Sequence, residues 1–247
     1  MSKNFELMQQ LEKEKVLKSD FEVASASSYR ASYDSNAKLS SMDDETLRLV
    51  QQVFVLQSKE PPRVVVFAGI DHGNGCSQIA TSVAEILSIN ARKPVCLVEA
   101  NFRSPSLARL ADKKVSVGLS DALVSDNPIL SFTTPTTNHN LWLLPAGPVA
   151  VDSSNLLASE RLKERIEHLR REFEFVIVDA PPLSHYSDAV ALGKQADGIV
   201  LILEADQTRR ESATAASVTL RMANVPIFAA VLNKRKFPIP DKVYKRL

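Results

Sequence analysis

The chain has 247 residues, 45% hydrophobic and 24% charged, with a formal net charge of +1. That length allows one large α/β domain plus an extension, and the near-neutral balance argues against nucleic acid as a partner. No apolar run reaches the roughly 18 residues of a membrane span, the opening Met1-Ser2-Lys3-Asn4-Phe5-Glu6 lacks a signal-peptide core, and the two cysteines, Cys76 and Cys96, form no disulfide framework, so the expected location is the cytoplasm.

Residues 3–18 read as a charged amphipathic helix carrying Phe5, Met8 and Leu11, and 19–41 as a serine-rich linker. A helix is predicted over 42–57, with Leu47, Val50, Val53 and Phe54 at helical spacing. Pro61-Pro62 stops it and opens the core, so the domains are read as 1–60 and 61–247. Short, nearly continuous apolar runs follow at 64–68, 94–98, 141–144, 175–179, 198–203 and 227–232, with helices at 77–90, 156–172, 187–195 and 208–223. Such runs are typical of strands covered on both faces. Their alternation with helices predicts a doubly wound, mostly parallel sheet with helices on both faces.

The first strand, Val64-Val65-Val66-Phe67, runs into three of the chain's seven glycines, Gly69, Gly73 and Gly75, and then into Ser77 at the start of a helix. Strand, glycine turn and helix N-terminus together aim backbone N–H groups and the helix dipole at a phosphate. The phosphate-loop pattern Gly-x-x-x-x-Gly-Lys-Ser/Thr is met at Gly75 and Ser77, but Cys76 stands where the lysine belongs and Ile70 where the first glycine belongs. The lysine that neutralises the β- and γ-phosphates is missing.

Ser77 fits a magnesium-ligating hydroxyl; its alternative is a plain helix cap. Asp179 ends the apolar run Phe175-Val176-Ile177-Val178. A carboxylate there is costly to bury without a metal or other partner, and Pro181-Pro182 argue against a helix for it to cap. Glu99 and Asn101 follow another apolar run, where they either hold a water or the magnesium shell or are polar strand ends. Cys76 at a helix N-terminus, where thiol pKa values tend to fall, is either a redox-sensitive thiol or a neutral filler. Arg103 is placed to reach phosphate. Arg161, Lys163, Arg165, Arg170 and Arg171, interleaved with glutamates, read as a solvated helix face. The four histidines show no metal-ligand spacing.

Over residues 42–247 the chain resembles the catalytic domain of bacterial tyrosine kinases (BY-kinases of the capsular exopolysaccharide group), within the partition-type P-loop ATPases. The resemblance rests on His72-Gly73-Asn74-Gly75-Cys76-Ser77 as a degenerate Walker A loop, Leu97-Val98-Glu99-Ala100-Asn101-Phe102-Arg103-Ser104-Pro105-Ser106-Leu107 as Walker A′, and Val176-Ile177-Val178-Asp179-Ala180-Pro181-Pro182 as Walker B. Weaker phrases are Gly118-Leu119-Ser120-Asp121-Ala122-Leu123, Leu144-Pro145-Ala146-Gly147, Ser187-Asp188-Ala189 and Val231-Leu232-Asn233. The resemblance implies ATP or ADP with Mg²⁺ held by Gly73, Asn74, Gly75, Cys76, Ser77, Gln78, Arg103 and Asn233, the last near the base. It implies metal contact by Ser77 and Asp179, and catalytic positions at Asp179, Glu99 and Asn101. Its natural partner is the cytoplasmic segment of a membrane polysaccharide co-polymerase, which would hold the chain at the inner face of the membrane.

The departures from the family pattern matter as much. Asn101 replaces the Walker A′ aspartate. The self-assembly pattern Glu-x-x-Arg-x-x-Arg is Glu45, Arg48 and Gln51 here, so the oligomer is expected to be weakened. The C-terminal tyrosine cluster shrinks to Tyr244, the candidate phosphoacceptor. Removing one preorganised stabiliser commonly costs on the order of 10²–10³ in rate. The reading is therefore a catalytically impaired, weakly nucleotide-binding regulatory or scaffold subunit of exopolysaccharide biosynthesis and export. The alternatives are an active tyrosine autokinase with its cation recruited from elsewhere, and a partition-type ATPase.

Overall fold

The computed structural model describes residues 44–56, 61–91, 93–111, 116–138, 140–148, 156–157 and 159–235. The readings at 3–18, 19–41 and Tyr244 lie outside the described residues. The elements are α1 (Asp44–Phe54), β1 (Val64–Gly69), α2 (Cys76–Asn90), β2 (Val95–Glu99), α3 (Leu119–Val124), β3 (Thr134–Pro135), β4 (Leu141–Leu144), α4 (Glu160–Glu172), β5 (Phe175–Ala180), α5 (Asp188–Gln195), β6 (Gly198–Glu204), α6 (Arg210–Met222) and β7 (Ile227–Asn233), with 3₁₀ turns at Leu107–Leu110 and Ile129–Phe132.

The seven strands form one sheet in the order β3-β4-β2-β5-β1-β6-β7, parallel throughout except for the antiparallel pair β3–β4. β1 is an inner strand next to the central β5, with Val64 beside Val176 of β5 and Val65 beside Gly198 of β6. Every residue of β1 and β2 is buried, which is why both read as unbroken apolar runs rather than as alternation. The carboxyl ends of β1, β2 and β5 therefore open side by side, where ligands of open α/β sheets bind.

The expected strands are all present, each within a residue of the predicted bounds. The short edge strand β3, helix α3 and the two 3₁₀ turns were not foreseen. They are too brief to show a period. Helix α4 starts at Glu160 rather than 156. Two of the weaker sequence phrases meet in space: Leu119 and Ser120 donate their N–H groups to the carbonyls of Pro145 (2.7 Å) and Ala146 (3.0 Å).

Helix α1 buries Leu49, Val50, Val53 and Phe54. It packs on α2 and β7, and Phe54 meets the edge of Phe175 at 5.5 Å between ring centroids. It belongs to the compact unit Asp43–Leu247, ahead of the boundary read at Pro61.

One reading of α4 is corrected. Arg165 is not on a solvated face but 2% exposed. Its guanidinium donates to the carbonyls of Ala122 (2.8 Å), Asn127 (2.9 Å) and Ser125, closing the end of α3. A buried guanidinium is tolerable because backbone oxygens take up its donors. Helical periodicity alone does not distinguish it from its solvated neighbours.

Candidate nucleotide site

The loop between β1 and α2 makes its turn through two left-handed glycines, Gly73 (φ 80°) and Gly75 (φ 85°). At Gly75 a side chain is doubly excluded, because a Cβ there would lie 2.4 Å from Asn233 Nδ2. Gly75 also caps α2 with no side-chain hydrogen bond, and the first turn of α2 carries no acidic residue. The helix thus presents its N–H groups and dipole with no acidic residue of its own first turn to answer them; the nearby carboxylate is Asp179 of β5, which Ser77 and Cys76 contact.

Side-chain amides brace the loop from behind. Asn74, 2% exposed, donates through Nδ2 to the Ile202 carbonyl at 2.9 Å, and Asn233 Nδ2 donates to the Asn74 carbonyl at 2.8 Å. Gly69 has no room for a Cβ because Asn74 fills it at 2.4 Å. Lys234 reaches the Gly73 carbonyl (2.6 Å) and the Glu204 carboxylate (3.1 Å).

The neighbouring strands bring Glu99 and Asp179 opposite one another, as Cα partners. Their environments differ. Glu99, 1% exposed, accepts from the N–H groups of Ser106, Leu107 (2.6 Å) and Ala146 (3.2 Å), so both its oxygens are engaged by backbone. It anchors the turn after β2 rather than facing a ligand. Asp179, also 1% exposed, keeps Oδ1 without a partner among the described residues. Burial raises its pKa to about 6, with the Glu99 charge adding to the rise and hydrogen bonds from Ser77 and Cys76 opposing it.

Cys76 does not gain acidity from the helix N-terminus. Burial first, and then the Asp179 charge, push its thiol well above the ordinary value. The lysine's place is held by a neutral S–H.

In front of the loop lies a cavity of about 290 Å³. Of the residues that the family resemblance implies for the site, Gly73, Asn74, Gly75, Cys76, Ser77, Gln78 and Asn101 line it. Glu99, Asp179, Arg103 and Asn233 are not among its lining residues. Arg103 instead stacks over Tyr186 at 4.0 Å and faces Asp188 at 3.6 Å. Sequence reasoning missed Ser104, Ser106 and Arg109, which also line the cavity. The available signal was the Walker A′ segment itself, which contains Ser104 and Ser106 and ends two residues before Arg109.

The residues fit magnesium. Asn101 Oδ1 and Asp179 Oδ1 are buried without partners among the described residues, and Ser77 adds a hydroxyl. Oxygen donors with one carboxylate, completed by phosphates and water, suit this ion.

No protein-family model matches the chain. It is 28% identical over 164 residues to the tyrosine-protein kinase YwqD of Bacillus subtilis, covering 66% of this chain and 69% of YwqD. It is 27% identical over 175 residues to the succinoglycan biosynthesis transport protein ExoP of Rhizobium meliloti, covering 70% of this chain but 22% of ExoP. Its homologues are bacterial tyrosine kinases. Among solved structures it superposes on the chimerical protein CapA2B2 with a TM-score of 0.72 (19% identity, 78% of this chain and 85% of that one). It also superposes on the septum site-determining protein MinD of Pyrococcus horikoshii, complexed with Mg-ADP, with a TM-score of 0.60 (20% identity, 74% and 76%). The fold is that of a P-loop NTPase.

Proposed function

We propose that this chain is a BY-kinase-like protein whose site binds a magnesium nucleotide weakly and transfers phosphate poorly or not at all, and that it serves as a regulatory or scaffold subunit of exopolysaccharide biosynthesis. One observation carries the reading: the position of the phosphate-neutralising lysine is held by the uncharged thiol of Cys76 against Asp179. Phosphoryl transfer depends on positioning and charge stabilisation. The braced loop supplies positioning, while the loop charge is lost and Asn101 adds no carboxylate. The partner in this reading is the cytoplasmic segment of a membrane polysaccharide co-polymerase, which would bring the chain to the inner face of the membrane. Among the described residues, no helix is long and apolar enough to cross a membrane. Glu45, Arg48 and Gln51 share the exposed face of α1. With Gln51 in the last place that face would support only weak self-assembly, giving a monomer or weak oligomer by light scattering at micromolar concentration.

The test is phosphotyrosine mass spectrometry after incubation with magnesium and ATP, alone and with an active homologue. Background modification alone, with Tyr244 modified only when the homologue is present, is the expected result. Strong modification of the protein alone, abolished by Asp179→Asn, would make it an autokinase.

A further inference from the structure

The cavity contains a cation that the phosphate-loop pattern does not call for. Among its described lining residues Arg109 is the one lysine or arginine. It comes from the 3₁₀ turn Leu107–Leu110, a different segment of the lining from the loop that carries the lysine position. The neighbouring cations are otherwise committed: Arg103 is stacked on Tyr186 and faces Asp188. Lys234 is spent on the Gly73 carbonyl and the Glu204 carboxylate. Arg109 is exposed and, among the described residues, has no ion-pair or hydrogen-bond partner.

The turn that carries it is fixed. Glu99 accepts the N–H groups of Ser106 and Leu107, and Leu107 is fully buried. A charged side chain rooted in a pinned backbone and left unpaired at a cavity floored by a helix N-terminus has one electrostatic complement, an anion. Asn101 Oδ1, buried and without a partner among the described residues, belongs to the lining of the same cavity and marks it as built for a ligand.

We infer that Arg109 replaces the missing lysine: it neutralises the outer phosphates of a nucleoside di- or triphosphate from the turn after β2, with Glu99 as the positioning residue that holds that turn. This rests on the nucleotide-site reading above. An arginine is suited to the task because its planar fork meets phosphate oxygens in pairs and stays charged.

The test is calorimetric titration of the full chain with Mg-ADP at two salt concentrations, using Arg109→Gln, Arg109→Lys, Cys76→Lys and the Cys76→Lys/Arg109→Gln double variant. Arg109→Gln should weaken binding about tenfold or more and flatten its salt dependence. Arg109→Lys should stay within about threefold of the natural chain, and Cys76→Lys should restore what Arg109→Gln loses. Unchanged melting temperatures would place the effect in binding rather than folding. Binding by Arg109→Gln equal to that of the natural chain overturns the inference and leaves the nucleotide site standing. If the natural chain does not bind Mg-ADP, the inference fails, and binding by Cys76→Lys alone would still keep the nucleotide-site reading. Absence of binding by both removes that reading as well.

Discussion

Asn233, at the end of β7, holds the phosphate loop by its backbone: its Nδ2 donates to the Asn74 carbonyl at 2.8 Å, and the same nitrogen occupies the space that a side chain at position 75 would need. The last-strand asparagine is thus a brace behind the loop, and the cavity lining does not include it. The glycine and the asparagine form one unit, although they lie far apart in sequence.

Gly75→Ala should therefore destabilise the chain by two routes, left-handed strain of about 1–2 kcal/mol and collision with Asn233. Asn233→Ala alone should cost about 1–2 kcal/mol through the unsatisfied carbonyl. The double variant should cost less than the sum, because removing Asn233 relieves the collision. Denaturant unfolding of the four proteins measures this, and strict additivity would show that the two residues do not meet.

Glu99→Gln should cost about 2–3 kcal/mol. The carboxylate accepts from three backbone N–H groups, and an amide would turn its own donor on at least one of them. Unfolding free energies of the natural and variant chains are the measurement. A neutral result would mean that these N–H groups find other partners.

The Asp179 carboxyl, near 3.8 in the unfolded chain, is raised to about 6 in the fold. Between those values the folded chain binds the extra proton. The stability it contributes is complete below about pH 4 and is lost as pH rises through 6, by an amount on the order of 3 kcal/mol. Asp179→Asn should remove this slope from a metal-free pH series. An unchanged difference between the two proteins across pH 4–7 would refute the raised value. Magnesium should favour the ionised form and release a proton near pH 6.

Cys76 should be slow to alkylate at pH 8 in the folded chain and fast in denaturant, because its thiol is held well above the ordinary value. Rapid iodoacetamide labelling of the native protein would instead support a redox-sensitive thiol.

The sheet was legible because its inner strands β1 and β2 are buried along their whole length, and the loop because φ near 80° at positions 73 and 75 favours glycine. Ser77, Asn101 and the loop residues line one cavity. Arg103 did not, since a motif gives a residue its place on the backbone but not the direction of a long side chain. The roles of Glu99 and Asn233 were hidden for a related reason. Both bind backbone N–H or C=O groups, which leave no trace in side-chain patterns. The burial of Arg165 depends on three carbonyls from other segments, and no helical period reports them.

The bracing of the loop by Asn74, Asn233 and Lys234 has a kinetic consequence. These bonds exist before any nucleotide arrives, so little ordering of the loop remains to be done at encounter. Whatever phosphate contact Arg109 leaves unmade in the lysine's stead then falls on the other side of the exchange. Capture should remain fast while residence shortens, since contact losses in related complexes are expressed mainly in the off-rate. Such a chain would follow the cellular ratio of ATP to ADP from moment to moment instead of storing one nucleotide.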